Sequence, residues 1–308
     1  MGGRVLVLTD GKAGHENQSK AFARALGREF DVVPVRFKSG FHKALSYVLD
    51  RLGVRTQRLF SIAGDITPGT HDAVIGTGSG TFYAAKALAR RLGVKCGVVL
   101  YPRGYALHGF DCILAPSFDR PAKASNVIEI PANLVAADES FYEKGAAEFR
   151  SRHAETGRKA VAVIVGGPNK RSTMTSEWMR TQLDSIFAGR GDVEMWVTTS
   201  RRTPPDVEAV VDSFPWDYKL IYSRDHFNPI PAFVKLADRL YVTAESTGML
   251  SEACTSGLAE VFALDNLLPG RHKFRRFLDS LVAGGYVGGR RKIDLSAQFA
   301  SARAKLGL

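Results

Sequence analysis

Six side chains able to move a proton or hydrogen-bond a substrate crowd into the nine residues DGKAGHENQ: Asp10, Lys12, His15, Glu16, Asn17 and Gln18. A histidine beside a carboxylate, at a turn from strand to helix, is the pair that general-base chemistry needs. The imidazole takes the proton and the carboxylate fixes its orientation. His15 is the expected base, with Asp10 or Glu16 as its partner. The same residues would also serve a plain helix start, with Asn17 or Ser19 as cap and Glu16 as a surface charge.

Three later segments suit a phosphate. GGPNKRST gives Gly166 and Gly167 for close backbone approach, then Asn169, Lys170 and Arg171 ahead of a helix N-terminus. TTSRRTPP sets Thr199 and Ser200 beside Arg201 and Arg202, whose guanidinium forks match phosphate oxygens. TAESTGMLSEACTSG starts a helix near Thr247, so Ser246 and Thr247 offer N–H groups while Ser251 and Glu252 lie in its first turns. Glu252 there could accept from ribose hydroxyls, or merely oppose the helix dipole. Asn228, in the 224–229 loop, is placed to meet a nucleobase. None of these is a Walker A loop, and GTGSG at 76–80 lacks the third glycine of a dinucleotide fingerprint. No metal-ligand spacing is present, so no metal is expected, and charge neutralisation falls to Lys170, Arg171 and Arg201.

Such loops need a sheet to carry them. RVLVLT (4–9) is too uniformly apolar for a half-exposed strand and reads as a buried parallel one. A glycine loop and a helix over SKAFARALG follow, and strands and helices then alternate to about residue 135. A charged helix-plus-linker occupies 137–159, after which AVAVIVGG (160–167) restarts the same pattern. The expectation is an α/β protein of two facing Rossmann-like domains with a ligand cleft between them. The domains are 1–145 on the acceptor side and 158–290 on the nucleotide side, with 291–308 a helix able to pack back on the first. In open parallel sheets, ligands bind beyond the carboxyl ends of the strands, where all the loops above lie.

The chain has 308 residues, and its 42 Lys and Arg against 31 Asp and Glu leave a formal charge of +11, which calls for an anionic partner. No run reaches the length of a membrane span, and the N-terminus has neither a signal peptide's hydrophobic region nor a myristoylation signal. Cys96, Cys112 and Cys254 are scattered in apolar surroundings and read as core residues of a reducing compartment. The expected location is therefore the cytoplasm, peripheral to the inner face of the membrane. The segment 271–292 holds seven Lys and Arg against Asp279, with Phe274, Phe277 and Leu278 interleaved, as on an interfacial helix facing an anionic membrane. Nucleic acid is not an expected partner, since no recognition module is present.

Two resemblances bear on function. STGMLSEACTSGLAEVF is similar to the late nucleotide-binding segment of GT-B glycosyltransferases, including a small-residue turn at Gly257, and by that resemblance Glu252 binds ribose. The second Glu of the sugar-retaining branch is Ala244 here, with Glu245 one position off, which favours inverting chemistry. DGKAGHENQS (10–19), VGGPNKR (165–171), TTSRRTP (198–204), NPIPAFVKLAD (228–238) and TAESTGMLSEAC (243–254) resemble, in order, the Elm-type mitochondrial fission family. The resemblances imply an inverting, metal-independent glycosyltransferase. Its substrate would be a nucleotide diphosphate sugar, with no cofactor and with a lipid-linked or cell-envelope acceptor. The family name equally implies a non-catalytic peripheral membrane adaptor, and the fold suits a nucleotide-sugar epimerase or hydrolase.

Overall fold

A computed structural model of the chain describes residues 3–64, 66–135, 139–154, 156–256 and 258–308. Residue 136, residues 137, 138 and 155 of the expected helix-plus-linker, and Gly257 of the expected turn lie outside them. The chain divides into two units, Met1–Ala136 with Asp294–Leu308, and Ala137–Ile293.

In the first unit the apolar run forms β1 (Arg4–Thr9), followed by α1 (Ala13–Ala25), β2 (Glu29–Phe37), α2 (Gly40–Arg51), β3 (Phe60–Ile62), β4 (Ala73–Thr77), α3 (Phe82–Leu92), β5 (Lys95–Val99), β6 (Cys112–Pro116) and β7 (Val127–Ile130). The sheet order is β3-β2-β1-β4-β5-β6-β7. All pairs are parallel except β2–β3, an antiparallel edge the sequence pattern does not announce. Alternation along β1 sends Leu6 and Leu8 into one core, with α3, and Val5 and Val7 into the other, with α1.

The second unit runs α4 (Glu139–Arg152), β8 (Ala160–Ile164), α5 (Ser176–Ala188), β9 (Glu194–Thr198), α6 (Pro205–Asp212), β10 (Tyr218–Leu220), α7 (Ile230–Leu236), β11 (Arg239–Thr243), α8 (Thr247–Ser256), β12 (Glu260–Leu264) and α9 (Lys273–Ala283). Its sheet, β10-β9-β8-β11-β12, is parallel throughout. The first boundary falls at 136, not 145, because α4 belongs wholly to this unit. Gly145 lies against Pro231 of α7, and Phe149 is buried among the rings of Trp196, Tyr218 and Phe233. The chain then returns to the first unit as α10 (Ser296–Leu306), whose Ala302 and Leu306 are buried in its core.

Each sheet reverses its strand order once: between β1 and β4 in the first unit, and between β8 and β11 in the second. A crevice opens beyond the strand ends at such a switch point. The loop after β1 carries Asp10 and that after β8 carries Gly166–Arg171, so candidate residues stand at both.

Candidate functional site

In the first unit α1 begins at Ala13, not near Ser19, so His15 and Glu16 lie in its first turn. Neither Asn17 nor Ser19 caps it: Asn17 is exposed, and Ser19 is buried with its hydroxyl 2.6 Å from that of Thr77. The Asp10 carboxylate accepts the Lys12 N–H at 3.3 Å, which folds the loop back. Both its oxygens then lie 3.1 Å from Nδ1 of His15. Glu16 is turned away, 2.6 Å from Lys20 Nζ, and that contact holds its carboxyl below the usual range. The partner of His15 is therefore Asp10. The facing loop after β4 makes room for the pair. Gly78 has φ +81°, and a Cβ there would run into the imidazole, as one on Gly80 would into the Asp10 side chain. With Nδ1–H donated to Asp10, the tautomer leaves the Nε2 lone pair to accept a proton, and Nε2 has no partner among the described residues.

In the second unit four strand-end loops are stitched together. The Thr203 hydroxyl donates to the Gly166 carbonyl at 2.6 Å and accepts the Ser200 N–H at 2.8 Å, joining the loops after β8 and β9. Thr243 Oγ1 accepts the Gly166 N–H, and Glu245 Oε1 the Gly167 N–H, each at 2.8 Å. Asn266 Nδ2 donates to Glu245 Oε2 at 2.8 Å. Gly166 and Gly167 are thus buried and packed against Glu245 and the Arg202 carbonyl, where a Cβ would collide. Their N–H groups serve the loop frame instead of pointing at a ligand. Thr199 is likewise committed, its hydroxyl donating to Glu208 and accepting the Tyr222 N–H. Asn169 Oδ1 accepts the Arg171 N–H, and the Ser200 hydroxyl accepts the Arg202 N–H. What the frame presents outward is charge. Lys170, Arg171, Arg201 and Arg202 are exposed, and no described residue pairs with their side chains.

A family model described as Mitochondrial fission ELM1 matches residues 13–295. The chain belongs to that family. It is 23% identical to the mitochondrial fission protein ELM1 of Arabidopsis thaliana, over 82% of this chain and 77% of that one. It is 24% identical to the uncharacterized protein RP120 of Rickettsia prowazekii (strain Madrid E), over 90% and 88%. Among solved structures, the UDP-GlcNAc 2-epimerase of Methanocaldococcus jannaschii superposes with a TM-score of 0.51 at 14% identity, over 92% of each chain. That likeness is one of fold, the pair of Rossmann-like units found in GT-B enzymes.

Elsewhere in this ELM1-family chain the expected residues meet different fates. Glu252, on α8, is hydrogen-bonded to the Tyr142 hydroxyl of α4, and burial pushes its carboxyl up to about 7. Ser251 is buried and its hydroxyl donates to the Thr247 carbonyl. Ser246 stands just before α8, and the exposed Asn228 accepts the Ile230 N–H ahead of α7. The interfacial reading of 271–292 is corrected. Phe277 and Leu278 of α9 are buried, and Phe274 packs on Ala244 and Leu267, so the helix spends its apolar face on the core. Arg275 is held by Asp265 at 2.6 Å. The residues that sequence reasoning missed are Thr243 and Asn266, with Glu245 noted only for its offset. No local motif marks them, since they join loops 77–78 and 21 residues apart.

Proposed function

We propose that this chain is a GT-B-type glycosyltransferase that takes a nucleotide diphosphate sugar. The reading is carried by the four unpaired cations Lys170, Arg171, Arg201 and Arg202 on hydrogen-bonded loops at the ends of β8 and β9. A diphosphate leaving group gains negative charge as its bond to the sugar breaks, and fixed cations beside it lower that barrier without a metal. Glu252 would take the ribose and the Asn228 loop the base. The reaction is a single inverting displacement. An acceptor oxygen bonds to the anomeric carbon, and the carbon–oxygen bond to the diphosphate breaks with its electron pair going to the nucleotide. The acceptor proton goes to a general base, a role that His15 Nε2 with Asp10 behind it is suited to fill.

UDP-GlcNAc, the sugar nucleotide after which the epimerase of similar fold is named, is the first ligand to try, followed by GDP, CMP and ADP sugars. The expected result is a raised melting temperature with one nucleotide class, worth about 2.7 kcal/mol at a hundred times Kd. No shift with any of them overturns the proposal. Conversion of the sugar nucleotide without acceptor would instead mark an epimerase or hydrolase, and binding without any turnover an adaptor.

A further inference from the structure

We infer that the outward face of α2 is a docking surface for an anionic lipid bilayer. This stands apart from the glycosyltransferase reading, and its experiment reads vesicle binding, not turnover. The inward face of α2 is tightly held, packing Leu45, Tyr47 and Leu49 on the core beside a buried polar set. Asp50 is wholly buried, with Lys86 Nζ at 2.9 Å and Arg55 at 3.2 Å, and it accepts the Ala106 N–H at 2.7 Å. Ser46 meets the Tyr105 hydroxyl at 2.9 Å, and Tyr47 stacks on Tyr105 with ring centroids 4.3 Å apart.

A second apolar set points the other way. Phe41 is 71% exposed, Val48 55% and Leu52 70%, and Ala44 between them is exposed as well. At about 100° per residue, positions 41, 44, 48 and 52 fall within one quarter of the helix circumference and form a single stripe. Val54, just beyond the helix, is 43% exposed. The remaining exposed large apolar side chains among the described residues, Phe141, Leu258, Leu268 and Val282, are not gathered on one helix face.

Charge selects the occupant. Between residues 32 and 64 the only acid is Asp50, which is buried and paired. Arg36, Lys38, Arg51 and Arg58 are exposed there with no described partner. An apolar stripe in a segment whose exposed charges are all cations matches acyl chains beneath anionic headgroups, with the helix lying along the interface. A protein partner would more often meet charges of both signs. The same helix also touches the loop beside His15, since Lys43 Nζ donates to Ser79 Oγ at 3.2 Å. Docking would hold that loop about one helix diameter from the lipid surface.

The test is co-sedimentation of the full chain with vesicles of phosphatidylcholine alone, or of phosphatidylcholine and phosphatidylglycerol in equal parts. Binding to the anionic vesicles only is expected. Phe41→Ser with Leu52→Ser should weaken partitioning about tenfold or more while leaving thermal melting unchanged, because both side chains are already in water. Arg51→Glu with Arg58→Glu should do the same by charge alone, and Arg290→Glu with Lys292→Glu should bind as wild type. A wild-type chain that stays in the supernatant overturns the inference. So does wild-type binding by both α2 variants, or loss confined to the Arg290/Lys292 variant. So too does a concentration-dependent dimer, abolished by the Phe41/Leu52 variant, in a chain that ignores vesicles.

Discussion

The proposed role of His15 as a base rests on one contact, the double approach of the Asp10 carboxylate to Nδ1. Asp10→Asn keeps the shape, but an amide can turn its NH2 toward Nδ1 and select the tautomer whose Nε2 carries the proton. Turnover should fall about 10²–10⁴-fold while nucleotide-induced melting shifts persist, because the proposed diphosphate site lies on the other unit. Loss of both together would contradict the assignment. Glu252 supports a second prediction, in pH. Its carboxyl is raised from an ordinary value of 4.5 to about 7 by burial. The fold then prefers the protonated form, so this stabilisation is complete below pH 4.5 and is lost as pH rises through about 7. Glu252→Gln should remove that slope, making the variant more stable than wild type at pH 8 by up to about 3 kcal/mol. Denaturant melts of both chains at pH 5 and pH 8, without ligand, give the comparison. Equal pH dependence in the two would count against a buried carboxyl.

At the scale of elements, the second unit's site is a frame of buried polar groups carrying exposed cations. Glu245 is the frame's centre, joining the Gly167 backbone, Thr243 and Asn266. Glu245→Ala should cost about 2–4 kcal/mol in chemical denaturation by leaving those donors unpaired. Arg171→Ala and Arg201→Ala should leave stability unchanged and weaken nucleotide binding about tenfold each, read by calorimetry. This division was only half visible in the sequence. The cations and the strand ends were legible because β8 is a uniform apolar run and β9 a short run around Met195, Trp196 and Val197, each followed at once by its polar loop. The frame was not, because Asn266 is brought to Glu245 across a helix and a strand. One helix was misread for a related reason. Helix α9 mixes Phe274, Phe277 and Leu278 with arginines, a pattern that fits a core-facing helix as well as an interfacial one. Helix α2 carries apolar residues on both faces, packing Leu45 and Leu49 on the core beside the buried Ser46 and Asp50 while exposing Phe41, Val48 and Leu52. Periodicity gives such a helix its faces but not which of them turns inward. The start of α1 was missed because Gly14 and the polar run 15–18 resemble a loop, while the Asp10–Lys12 turn that launches the helix is a tertiary detail.

At the scale of the whole molecule, the chain path makes the first unit depend on its last fifteen residues. The run ending in Ile130 completes seven strands, and α10 then joins α1 in covering the face of β5 to β7. Gly97 of β5 leaves a hollow that Leu306 fills, since a Cβ there would lie 3.3 Å from Leu306 Cδ1 and 3.1 Å from Phe22 Cε1. Arg303 then donates to the Ala25 carbonyl at 2.7 Å, tying α10 to the end of α1. Leu306 is 1% exposed. Leu306→Ala should therefore cost about 2–5 kcal/mol, the range for truncating a fully buried leucine. The loss should appear in the first unit's melting transition while nucleotide affinity at the second unit is kept. Ending the chain at Ile293 should have the same direction and a larger size, with amide hydrogen exchange rising in β5, β6, β7 and α1 but not in β8 to β12. Equal loss of protection in both sheets would mean that α10 supports the molecule as one cooperative body rather than the first unit alone.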